Sequence, residues 1–182
     1  MLENIPKSVG EAMKSARAGT EKLTINVIDA PMTIDIKSAA FGDVQPIPPR
    51  YTADGEGLSP ELTWRGVPEQ TRCVALIVED PDAPMPQPLV HAIVPLLPRE
   101  GALAAGELGG DGIKTGRNSY LQHGYLAPDP PTGHGPHRYV FEMFALSEAP
   151  QEVESMGRSE FVDWVRPRVL AKGCLIGTYE RA

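Results

Sequence analysis

Apolar and polar residues change their period along the chain. At the start, Ile5, Val9, Ala12, Met13 and Ala16 recur at spacings of three and four, while Lys7, Lys14 and Arg17 fall elsewhere. That spacing predicts one amphipathic helix over residues 1–18, with Gly19 as its stop. From 32 to 38 the period drops to two: Met32, Ile34 and Ile36 alternate with Thr33, Asp35 and Lys37. This is the pattern of a half-buried strand. Further strands are predicted at 61–65, 72–79, 89–97, 138–146 and 172–181, the runs at 72–79 and 89–97 being apolar enough to be central. Residues 51–60, with Asp54-Gly55 and Gly57, read as a turn region, and 98–116 as a long excursion bending at Gly109-Gly110. A second helix is predicted over 159–171, with Ser159 as its N-cap and Val162, Val165 and Val169 on one face. Pro167 should kink it. Strands never alternate with long helices, so a parallel βαβ sheet is disfavoured. The expected fold is mainly β, an antiparallel Greek-key-like domain over 21–182 with the N-terminal helix (1–20) appended.

Composition narrows the class. The 182 residues carry 17 basic and 24 acidic side chains, a net charge of −7 that argues against a dedicated nucleic-acid binder. With 18 glycines and 19 prolines and no repeating period, the chain suits a loop-rich β domain better than a helix bundle. Glu3 and Glu11 interrupt the first stretch, which lacks the apolar run of a secretion signal. The apolar runs at 73–78 and 89–97 are far shorter than the ~20 residues that span a bilayer. A cytoplasmic protein without a stable membrane anchor is expected. Cys73 and Cys174, both in apolar runs, are expected to be reduced core thiols. The appended helix has an apolar stripe that must pack on the domain or on a second subunit.

Candidate chemistry gathers at predicted strand ends. Glu79-Asp80-Pro81-Asp82-Ala83-Pro84 follows directly from a buried strand, and His91 begins the next. Gly135-Pro136-His137-Arg138-Tyr139 opens a third. If these strands are neighbours, Asp80, Asp82, His91 and His137 meet at one end of the sheet. Such a group has three uses: to ligate a divalent metal, to exchange protons, or to bind an anion through imidazole N–H groups held by the carboxylates. A purely structural role, with aspartates capping turns, is the competing reading.

The ordered set of motifs resembles the phosphatidylethanolamine-binding protein family, in particular its bacterial Raf-kinase-inhibitor-like branch. It comprises Asp80-Pro81-Asp82-Ala83-Pro84, the strand from His91, Pro130-Pro131 and Gly135-Pro136-His137-Arg138-Tyr139. Leu58-Ser59-Pro60-Glu61-Leu62-Thr63-Trp64 and Leu175-Ile176-Gly177-Thr178-Tyr179 add to it, so the likeness covers about residues 32–181. The resemblance implies a two-sheet fold and a small pocket for an anion or a phosphorylated head group. That pocket would be lined by Asp80, Asp82, His91, Pro131, His137 and Tyr139, with no metal or cofactor. Bacterial members resembling this chain are often homodimers, so the resemblance also implies a homodimer. Arg138, one residue along the strand, should face the other way, in a buried ion pair or covering the sheet, rather than contact the ligand.

Three features depart from the family. Ala92 stands where a tryptophan is usual, removing an apolar wall. Leu126-Ala127 replaces two glycines after Tyr125. Asp129 precedes Pro130 where a small residue is common, and its charge would oppose an anion unless protonated or turned outward. The expected function is a non-enzymatic binding protein, possible alternatives being a kinase or protease inhibitor that acts by protein contact and an Asp/His hydrolase, metal-assisted or not. The sequence contains no Gly-x-Ser-x-Gly elbow.

Overall fold

The computed structural model describes residues 5–181 except 98, 100 and 111. Residues 1–4 of the expected helix, those three positions of the expected excursion, and residue 182 therefore lie outside the described residues. Among the described residues, eight strands form two sheets. β1 (Asp35–Lys37), β3 (Leu62–Arg65) and β6 (Gly101–Leu103) make the smaller, in the order β1-β3-β6. β2 (Gln45–Pro46), β8 (Val169–Tyr179), β7 (His137–Leu146), β4 (Cys73–Asp80) and β5 (Leu89–Leu97) make the larger, in that order. Three short helices, α1 (Lys7–Ala12), α2 (Thr24–Val27) and α3 (Arg158–Val165), lie at the margins. The fold is mainly β in two sheets, as the sequence predicts.

β4 and β7 are buried on both faces because each faces a different core on alternate residues. Val74, Leu76 and Val78 of β4, with Tyr139, Phe141 and Met143 of β7, meet Leu62, Trp64 and Leu103 of the smaller sheet. Cys73, Ala75 and Ile77, with Val140 and Phe144, meet Leu23, Ile25, Phe161 and Val165 on the opposite side. The second face also carries two carboxyls. Glu79 accepts the Thr24 N–H (2.7 Å) and Arg158 Nε–H (2.5 Å), and Glu142 accepts the Ile25 N–H (2.5 Å). Arg158 also donates to the Lys22 carbonyl. Burial, reinforced by the Glu79 charge, raises the Glu142 carboxyl well above its ordinary range.

Several boundaries differ from expectation, each for a local reason. The first helix ends at Ala12, not near 18, because the backbone beyond it bonds to the domain: Ala18 N–H donates to Ala83 O (3.0 Å) and Gly19 N–H to Pro81 O (2.9 Å). The second helix spans Arg158–Val165 and ends before Pro167, which has no N–H to make the next bond of the helical ladder. Its N-cap is Gly157, with Glu160 accepting the Gly157 N–H, in place of Ser159. The strand expected over 32–38 pairs regularly only at Asp35–Lys37. Upstream, Thr33 and Ile34 bond to Lys172 of β8, approaching so closely that a Cβ on Gly173 would lie 2.0 Å from the Ile34 carbonyl oxygen. Two strands escaped the pattern altogether. β6 lies within the supposed excursion, and the two-residue β2 pairs in parallel with β8. Cys73 and Cys174 are free thiols, and burial pushes Cys73 up to about 11.

Candidate functional site

The antiparallel pairing of β4 with both β5 and β7 puts the end of β4 and the starts of β5 and β7 at one edge of the larger sheet. Asp80 shares parity with Val78, and His137 with Tyr139, so all three project to the inner side, between the sheets. His91 reaches the same place through a bulge. Val78 opposes Ala92 and Glu79 opposes Val90, which leaves His91 without a partner across the ladder. It is clamped by the 126 position instead: Leu126 N–H donates to His91 O (2.8 Å), and His91 Nδ1–H donates to Leu126 O (2.6 Å).

These side chains border a cavity of about 620 Å³, within the range of small-molecule sites. Five of the six predicted residues line it: Asp80, His91, Pro131, His137 and Tyr139. Asp82 does not. It is buried beside the cavity, where its Oδ2 accepts from Arg138 N (2.9 Å) and Nε (2.7 Å), while Oδ1 takes Arg138 Nη2 (2.7 Å) and Arg17 Nη1 (2.6 Å). Burial alone would raise this carboxyl; the two arginines outweigh it and hold Asp82 at about 2. Arg138 thus faces away from His137 and Tyr139, as strand alternation predicts, and of its two expected roles it takes the ion pair.

Most of the remaining wall is apolar, formed by Ile5, Met13, Pro84, Met85, Leu89 and Leu126 among others, with Gln122 as a polar exception. Ala92 is not among them: it is fully buried in the core between the sheets. Asp129 does border the cavity, and Arg181 answers its charge. Arg181 Nη1 donates to Asp129 Oδ1 (2.7 Å) and to Pro130 O (2.9 Å), while Nε and Nη2 hold Asp54. Neither protonation nor outward rotation is needed.

Polar atoms on the cavity floor divide into spent and unspent. His137 Nδ1 meets Asp80 Oδ2 (2.7 Å), and its Nε2 meets His134 Nδ1 (2.7 Å). Asp80 Oδ1 accepts the N–H groups of Asp82 (2.7 Å) and Ala83 (3.1 Å). His91 Nε2 and the Tyr139 hydroxyl, by contrast, are buried with no partner among the described residues. Their rings meet edge to face at 5.1 Å between centroids. Burial lowers the His91 imidazole, opposed by the Asp80 charge, so the neutral ring with its proton on Nδ1 is favoured. Nε2 then carries a lone pair. Burial and the Asp80 charge raise Tyr139, which keeps its O–H. Among the described residues no cluster of three or more His, Cys, Asp or Glu side chains is arranged to hold a metal ion.

The phosphatidylethanolamine-binding protein family model matches residues 37–180. The chain belongs to that family. A UPF0098 protein of Aquifex aeolicus is 37% identical over 162 residues, covering 81% of this chain and 89% of the relative. Among solved structures, a phosphatidylethanolamine-binding protein homologue of Chlamydia trachomatis aligns with a TM-score of 0.75 at 32% identity, covering 82% of this chain and 99% of its own. E. coli YbcL, described as a member of the mammalian PEBP family, aligns with the same TM-score at 25% identity and the same coverage. The family match leaves residues 5–36 outside it, including the stretch that supplies Ile5, Met13 and Arg17 to the pocket region. His134, which completes the bonding of His137, lies within the match but was not singled out by sequence. Only the closeness of His134 to His137 in the chain could have signalled it.

Proposed function

We propose that this family member is a non-enzymatic binding protein whose pocket takes the acidic head group of a small amphiphile, a phosphate monoester or a carboxylate. The reading rests on one observation, two unpartnered polar atoms, on side chains whose rings touch edge to face, in the lining of a mostly apolar cavity. A buried polar group without a partner costs about 1–3 kcal/mol, which a suitable ligand would recover. His91 Nε2 calls for a donor and Tyr139 O–H for an acceptor. A singly protonated phosphate monoester offers both on neighbouring oxygens, and so does a carboxylic acid. A fully ionised head group would reach the same complex by taking up one proton between itself and His91.

Calorimetric titration of octyl phosphate tests this. His91→Ala and Tyr139→Phe should each weaken binding by about 1–3 kcal/mol. Unchanged affinity in both variants would remove the floor pair from the site. Affinity for wild type should rise as pH falls from 8 to 6, because the complex holds a proton that the separated partners release.

A further inference from the structure

The stretch preceding the family-matched residues is built into the pocket. Ile5 and Met13 belong to the cavity lining. Four joints seat the segment on the domain. Gly10 of α1 lies against the 131–135 loop so tightly that a Cβ there would come within 2.0 Å of the Thr132 carbonyl oxygen. Arg17 pairs with buried Asp82 (2.6 Å) and reaches Pro136 O (3.3 Å). Ala18 and Gly19 bond to the carbonyls of Ala83 and Pro81. Lastly, the Met13 carbonyl meets His134 Nε2 at 2.8 Å.

That last joint runs straight to the pocket histidine. Asp80, His137, His134 and the Met13 carbonyl form a chain of three hydrogen bonds, all 2.7–2.8 Å. A carboxylate and a carbonyl close its ends, and neither is a donor. Three bonds therefore need three N–H groups, whereas two neutral imidazoles supply two. The intact chain holds one additional proton, shared by the histidine pair and facing Asp80. Without it, either the His134–Met13 or the His134–His137 contact sets lone pair against lone pair, and the joint to the segment is lost.

We propose that residues 5–17 are a latched, specificity-determining wall of the pocket that selects head groups carrying an apolar chain, with His134 as the positioning residue that holds it. The proposal rests on the head-group reading above. Met13 and Ile5 add apolar surface to the lining, and a chainless head group has no apolar part to bury against it. Burial, His137 and Arg17 oppose a proton on His134 and the Met13 carbonyl favours one, while Asp80 closes the far end of the chain against His137. Asp82 is neutralised by Arg17 and Arg138, and Lys14 with Arg17 borders Gly135, and Lys7 with Glu11 borders Gly133.

Gly10→Val undocks α1 without touching the cavity, and Met13→Ala removes wall surface while keeping the carbonyl that holds His134. Two sources carry this ligand chemistry, a free single-chain amphiphile and a bilayer lipid. Soluble octyl phosphate and phosphatidic acid vesicles are therefore titrated in parallel, with methyl phosphate as the chainless control. For whichever source wild type binds, each variant should lose about tenfold in affinity, while methyl phosphate should change less than about twofold. Equal loss for methyl phosphate, or no loss for the chain-bearing ligand, overturns the wall. If wild type binds no phosphate at all, the head-group reading fails, and the neutral probe N-phenyl-1-naphthylamine decides the wall separately. Its fluorescence enhancement should fall in both variants; equal enhancement, or none in wild type, overturns the wall. Hydrogen exchange over residues 5–19, corrected for intrinsic rate, reads the latch without ligand. Protection should decline as pH rises in wild type and become independent of pH in His134→Gln. The same pH profile in both proteins would remove His134 from the latch.

Discussion

Asp82 illustrates how little a motif says about the job each of its members does. The Asp-Pro-Asp sequence presents two equivalent carboxylates at a strand end, and strand alternation correctly set Arg138 on the opposite face. The division of labour follows from long-range partners: Asp80 serves His137 and the turn, while Asp82 serves Arg138 and Arg17. Arg17 and Arg181 escaped notice because no short-range pattern links them to carboxylates 65 or 127 residues distant. Asp82 is held below its unfolded value, so its contribution is present above about pH 4 and lost as pH falls toward 2. The shift corresponds to about 2 kcal/mol. Urea unfolding should find Asp82→Asn less stable than wild type by roughly that amount at pH 7, the gap closing at pH 2. A gap of constant size would mean that the arginine pairs are not its source. Asp129 faces the cavity but is paired with Arg181. Asp129→Asn should leave Arg181 to attract an acidic head group and strengthen octyl phosphate binding severalfold by calorimetry.

Among the elements, strands were far more legible than helices. β5 begins and ends where its apolar run does, and β4 and β7 are displaced by one residue at the ends that carry Asp80 and His137. A run buried on both faces leaves few competing assignments. The N-terminal helix was overextended because the amphipathic spacing continues past Ala12, whereas the backbone finds better partners on Ala83 and Pro81. The bulge at His91 has no signature in the residues, yet it turns this side chain into the cavity. Buried carboxyls on the far face of β4 and β7 were equally hidden, since alternation predicted apolar residues there. Glu142 is held neutral by burial, so stability falls as pH rises above the ordinary carboxylate range, where only the unfolded chain releases this proton. Glu142→Gln should therefore raise the thermal midpoint at pH 7 and leave it nearly unchanged at pH 4. Lowering it at both would show that the ionised form is needed to hold Ile25.

At the level of the whole molecule, the charge of −7 is not concentrated in the pocket. Asp54, Asp82 and Asp129 are answered by arginines, and Asp80 by the histidine pair, so the cavity is nearly neutral and mostly apolar. No helix among the described residues is long and apolar enough to cross a membrane. The two-sheet domain brings three strand ends together, and the N-terminal segment closes over them. What this assembly leaves without a partner in the cavity lining is the lone pair of His91 and the hydroxyl of Tyr139. The central claim is that an acidic head group completes that pair with one shared proton. It is tested by titrating octyl phosphate at pH 8 in buffers of different ionisation enthalpy. At that pH the free ligand is almost wholly a dianion, its second pKa being about 6. Wild type should take up close to one proton per ligand bound, falling toward none near pH 5, and His91→Gln should take up clearly less at pH 8. Binding that consumes no proton at pH 8, or consumes as much in His91→Gln, would contradict the account.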